Sequence, residues 1–146
     1  MKRDSVTMDL FDGLRAPEPE VRLPAGAIAR ETFRQRVSCV VAEVLRDCPL
    51  DRDEIARRMS TASGETISTN MLNNYAKSEP DHAISLARAI ALTLATGDPR
   101  LASLLLDGTD FTVTHRRNLG AIEESHWRFV REEAERQENM ARRRWR

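Results

Sequence analysis

Aromatic side chains make up only 5 % of the 146 residues, and no apolar run approaches the ~20 residues of a membrane span. A core drawn from this chain must be aliphatic and modest, and its length supports one domain with tails. Charge of one sign is missing too. The 23 basic and 23 acidic residues cancel, so bulk electrostatic attraction to nucleic acid is weighed against from the start. Cysteine is limited to Cys39 and Cys48. On one helix they would lie about 13 Å apart and face opposite sides, beyond the span of a disulfide. Both are expected as small buried residues in a reducing compartment. The opening run MKRDSVTMDLFDG has no signal-peptide apolar stretch. The expectation is a cytoplasmic protein without a membrane segment.

The machinery of catalysis is lacking as well. There is no glycine-rich phosphate loop and no G-x-S-x-G elbow. His82, His115 and His126 are scattered, and none stands at metal-ligand spacing from another histidine or a cysteine. Glu123, Glu124, Glu132 and Glu133 alternate with arginines and read as a solvated helix face. No catalytic residue, metal ligand or cofactor is implied, and a non-enzyme is expected.

What the chain does have is a legible pair of helices between residues 51 and 77. Asp51 followed by Glu54 has capping-box spacing, with Leu50 and Ile55 as a hydrophobic staple. Ile55, Ala56 and Met59 make the buried face, and Arg57 and Arg58 fall outside. Gly64 supplies a left-handed stop. Ser68 caps the second helix, flanked by Ile67 and Leu72. Leu72 and Tyr75 point inward with either Met71 or Ala76. Thr69, Asn70, Asn73 and Asn74 share the opposite face, and Lys77 closes the helix where a cation suits its dipole. Asparagine is a poor helix former, so three in five residues need a reason. Its amide offers a donor beside an acceptor, which matches the adenine edge in the major groove.

This arrangement is that of a helix-turn-helix: Ala56, Ser60, Ile67 and Ser68 fill the small, turn, apolar and cap roles. Thr61 to Thr66 lengthen the turn by about one helical turn beyond the usual three or four residues. On this pattern Asn70, Asn73 and Asn74 are expected at base edges, with Thr69 and Lys77 on flanking phosphates. Arg57 and Arg58 are expected on the backbone, from the helix that crosses it.

Around this pair the chain is read as all-α: a small helical bundle containing the helix-turn-helix, plus a long C-terminal helix. Residues 1–26 carry three of the six prolines and read as an extended or disordered arm, with Met8-Asp9-Leu10-Phe11 a candidate protein-binding segment. Residues 27–110 form the helical DNA-binding domain, its helix-turn-helix at about 52–77. It opens with a helix over about 27–47 whose buried face is Ala29, Phe33, Val37, Val40, Val41 and Val44. A helix over about 85–95 is apolar nearly all round, through Leu86, Ile90, Leu92 and Leu94, and is expected in the core. A shorter one, capped by Asp98 and opened by Pro99, turns Leu101, Leu104 and Leu105 inward. Phe111 to Thr114 alternate like a lone strand. Residues 111–146 supply the last helix, from about Asn118 to Arg144, and a basic tail.

The run DEIARRMSTASGETISTNMLNNYAKSEPDHAISLARAIALTLATG resembles the small helix-turn-helix regulatory proteins of Mu-like phages and prophages. The resemblance rests on Arg52 to Ser60, Gly64 to Ile67, Met71 to Asn73, His82 and Ala95 to Gly97, covers about a third of the chain, and includes the lengthened turn. It implies DNA-binding transcriptional control of phage genes, with double-stranded DNA as the partner.

Residues 111–146 hold nine arginines against six glutamates and end in RRRWR. Such a tail supplies phosphate contacts or simply solubility. Leu119, Ile122, His126, Phe129 and Met140 recur at three- and four-residue spacing, interrupted by Glu133 and Arg136, with Val130 in a second row beside Trp127, Ala134 and Ala141. The stripe either packs back on the core or pairs with another copy, and a homodimer through Leu119, Ile122, His126, Phe129 and Val130 is the favoured expectation. The alternative function is a non-enzymatic adaptor that joins proteins through the N-terminal arm and the C-terminal helix.

Overall fold

The computed structural model describes residues 20–77 and 79–145. Seven α-helices stand among the described residues: α1 (Ala25–Ile28), α2 (Phe33–Asp47), α3 (Arg52–Ser63), α4 (Thr69–Tyr75), α5 (Leu86–Thr96), α6 (Arg100–Leu105) and α7 (Leu119–Arg144). No strand occurs among the described residues, and 111–114 are irregular. The chain is all-helical, as expected. Residues 20–113 form one compact unit. Residues 114–145 belong to a second, and the Met8–Phe11 segment lies outside the described residues.

The core is aliphatic. Val40, Val41 and Val44 from α2, Ile55 and Met59 from α3, Leu72 from α4 and Leu92 from α5 are its largest fully buried side chains. Helix α3 packs most extensively on α5, and α2 on α6 and α1. Two ion pairs fasten α2 to the α6 region. Arg100 bridges Asp47 at 2.9 Å and Asp98 at 2.6 Å, and Arg36 reaches Asp107 at 3.2 Å.

The expected 27–47 helix is divided. Thr32 is extended, with φ −114° and ψ 148°, and caps α2 by accepting from the Gln35 N–H while the Gln35 side chain accepts from the Thr32 N–H. This Thr-x-x-Gln box restarts the helix at Phe33 and breaks the register assumed across 29–33. Ala29 and Phe33 are therefore exposed, not buried. Cys39 and Cys48 are free and half-buried against the core instead of enclosed by it.

Helices α5 and α6 correct a second expectation. Only Ala91, Leu92 and Ala95 of α5 are buried, while Leu86, Ile90 and Leu94 are 60, 54 and 69 % exposed. These three lie four residues apart on one row, and a helix seated on α3 through one face cannot bury the opposite row too. Leu105 is likewise exposed although Leu101 and Leu104 are buried.

The turn between α3 and α4 is clipped by one hydroxyl. Thr61 to Ser63 extend α3 and are not turn residues; Gly64 then stops it at φ 71°. Ser60 Oγ donates to the Ala56 carbonyl at 2.8 Å and accepts from the Ile67 N–H at 2.9 Å. Ile67 is buried, so Ser60→Ala leaves its N–H without that acceptor. The expected cost is about 1–3 kcal/mol in urea denaturation. A loss no greater than at an exposed serine would mean that the clip contributes nothing.

Candidate nucleic-acid interface

Helix α4 is positioned by its ends and its apolar face. Ser68 accepts from the Met71 N–H at 3.3 Å, and Leu72 and Tyr75 are buried. Met71 and Ala76 are both half-buried, so the choice between them does not arise. The Tyr75 hydroxyl accepts from Arg88 of α5 at 2.8 Å, and Arg88 also pairs with Glu65 of the turn at 2.9 Å. One guanidinium thus ties α4, α5 and the turn together. At the far end, Ser38 of α2 donates to the Lys77 carbonyl at 3.0 Å.

That anchoring turns a polar face outward. Asn70 and Asn73 are exposed, and Asn74 and Thr69 are half-buried. Among the described residues, nothing hydrogen-bonds the side-chain amides of Asn70, Asn73 or Asn74, whereas the Thr69 hydroxyl donates to Asp53 of α3. Lys77 is exposed just beyond the helix, not within its last turn.

The arginines of α3 lie on its outer side as expected, but they are engaged. Glu54 accepts from Arg57 at 2.7 Å and from Arg58 at 2.7 Å. Its backbone N–H donates to Asp51, so only half of the expected capping box forms. Glutamate at i with arginines at i+3 and i+4 is a helix ion-pair spacing, and that signal is present in the sequence. The Arg57 and Arg58 hydrogen bonds hold the Glu54 carboxyl at about 2, down from 4.5. A depressed carboxyl contributes stability above its ordinary value and loses it as pH falls through the depressed one. The Glu54 carboxyl should therefore still be ionised at pH values where free glutamate is protonated. Titration of its carbonyl resonance checks this, and a midpoint near 4.5 would dissolve the pairing.

Electrostatics around the face are balanced, not basic. Residues 20–113 hold eleven arginines and lysines against thirteen aspartates and glutamates. Asp53 of α3 accepts from Thr69 of α4, and Glu65 of the preceding turn shares Arg88 with Tyr75. Among the described residues, no group of histidines, cysteines and carboxylates could hold a metal ion, and no helix is long and apolar enough to cross a membrane. Comparisons with protein families, curated proteins and solved structures find no match to this chain.

Helix α7 makes up most of the described part of the second unit. None of its residues is buried, and Leu119, Ile122, Trp127, Phe129, Val130 and Met140 are all exposed. His126 meets the edge of Trp127 with ring centroids 5.6 Å apart.

Proposed function

We propose that the chain is a sequence-specific DNA-binding transcriptional regulator of phage or prophage genes. Residues 68–77 read the major groove, and the protein acts in the cytoplasm as a homodimer through α7. One observation carries this reading: the amides of Asn70, Asn73 and Asn74 have no hydrogen-bond partner among the described residues and share the face of α4 opposite buried Leu72 and Tyr75. A helix holding poor helix formers has given up stability there, and bidentate pairing with adenine offers a use for them. A balanced bundle gains little from phosphates, so two linked recognition helices on a two-fold site would compensate.

Selection from a random duplex pool at low salt tests the reading. A recurrent motif should emerge, and its binding should weaken as salt rises. If the pool remains unenriched, the DNA reading fails. Releasing the α3 arginines adds a second readout. Glu54→Gln removes the carboxylate that occupies Arg57 and Arg58, so binding to all duplexes should tighten and the salt slope should steepen by about one unit per freed contact. A slope unchanged by Glu54→Gln would remove both arginines from the phosphate-contact role.

A second reading, a protein-protein adaptor, draws on α5. Its only charged residue, Arg88, is spent on Tyr75 and Glu65, which leaves the exposed row Leu86, Ile90 and Leu94 without a charge in a chain that is 32 % charged. Exposed apolar surface of this kind marks interaction sites.

A further inference from the structure

Along α7 the three- and four-residue spacing runs Leu119, Ile122, His126, Phe129 and resumes at Met140, with Glu133 and Arg136 at the two positions between. In a two-stranded helical pair these are seam positions, so the direction of the partner helix decides what each one meets. In a parallel pair every seam residue faces its own copy. Glu133 would then meet the partner's Glu133, and one layer on Arg136 would meet the partner's Arg136. Like charges stacked at two successive seam layers oppose association.

We infer that α7 pairs with the α7 of a second copy in antiparallel fashion, about a two-fold axis between Ala134 and Glu135. In that register Glu133 faces the partner's Arg136, and Arg136 faces the partner's Glu133. Within one helix these two already lie 3.3 Å apart as an ion pair, so the pairing exchanges partners between copies without requiring new charges. The same register sets Phe129 on the partner's Met140. One alignment thus matches the two charged layers and the Phe129–Met140 layers on either side of them. The antiparallel course also separates the cationic ends at Arg142, Arg143 and Arg144, which a parallel pair would bring together. The helical overlap runs over 125–144, about 30 Å by the helix rise. Phe129 and Val130 carry the contact, His126 sits at its edge, and Leu119 and Ile122 lie beyond it.

This inference rests on the dimer in the proposed function and not on its DNA binding. The test uses the full chain, in sedimentation at concentrations on the order of tens of micromolar. Glu133→Arg and Arg136→Glu should each weaken self-association about tenfold or more, and the double variant should return it to within about threefold of the parent. In a parallel pair each single swap merely exchanges one like-charge layer for another, so no loss and no rescue would overturn the antiparallel course. Oxidative cross-linking provides a readout independent of helix stability. In a background with Cys39 and Cys48 replaced by alanine, a mixture of Phe129→Cys and Met140→Cys chains should cross-link to each other, and neither variant should cross-link to itself. The reverse pattern overturns the inference while leaving the dimer standing. A parent that sediments as a monomer overturns both.

Discussion

Leu72→Ala is expected to lower the unfolding free energy by about 2–5 kcal/mol, the range for truncating a fully enclosed leucine. Leu72 has no exposed surface and belongs to the one core that joins α2, α3, α4 and α5. The cavity would open beneath the helix that carries the asparagine face, so α4 should loosen before the rest of the bundle. Leu94→Ala is the matched control. Leu94 lies on the exposed row of α5, and its truncation should stay within about 0.5 kcal/mol. Urea denaturation of both variants checks the contrast, and comparable losses would mean that the α5 row is covered in solution.

Asn73→Ala should cost about 1–3 kcal/mol of discrimination between the selected site and a scrambled duplex, the value of one good bidentate contact to a base. Because Asn73 is exposed and its side-chain amide has no partner among the described residues, stability should hold or rise slightly, given the helix preference of alanine. Asn70→Ala should behave the same way, since its exposure is similar. Asn74 is half-buried, so Asn74→Ala could shift stability as well as specificity. Competition binding with paired thermal denaturation separates the two effects. Undiminished discrimination in all three alanine variants would leave the polar face without a role in base recognition.

Much of the helix-turn-helix was legible in residue order because its signals are local. Asp51, Gly64 and Ser68 act within three or four residues of themselves, and each caps or stops the helix expected of it. The Leu72–Tyr75 spacing likewise fixes which face of α4 turns inward. Thr32 and Gln35 carry an equally local signal, and the capping box they form overrides the apolar repeat that runs through them. Other features depend on partners distant in sequence. Arg88 is an unremarkable helix residue until the fold brings Tyr75 and Glu65 to it, 13 and 23 residues away. Arg57 and Arg58 face outward as helical periodicity dictates, yet Glu54 holds both, and an outward direction alone does not reveal that partner.

By itself the sequence determined the helical class, the caps and stops of α3 and α4, and the segregation of asparagines from leucine and tyrosine, since helical periodicity and end-capping act over single turns. Only the tertiary structure decided which apolar rows are covered. Leu86, Ile90 and Leu94 are as apolar as Leu92, yet Leu92 alone of these four is buried, because α3 covers one face of α5 and nothing in this chain's own order of residues specifies which. Burial is a property of pairs of surfaces, and a single helix cannot encode its neighbour.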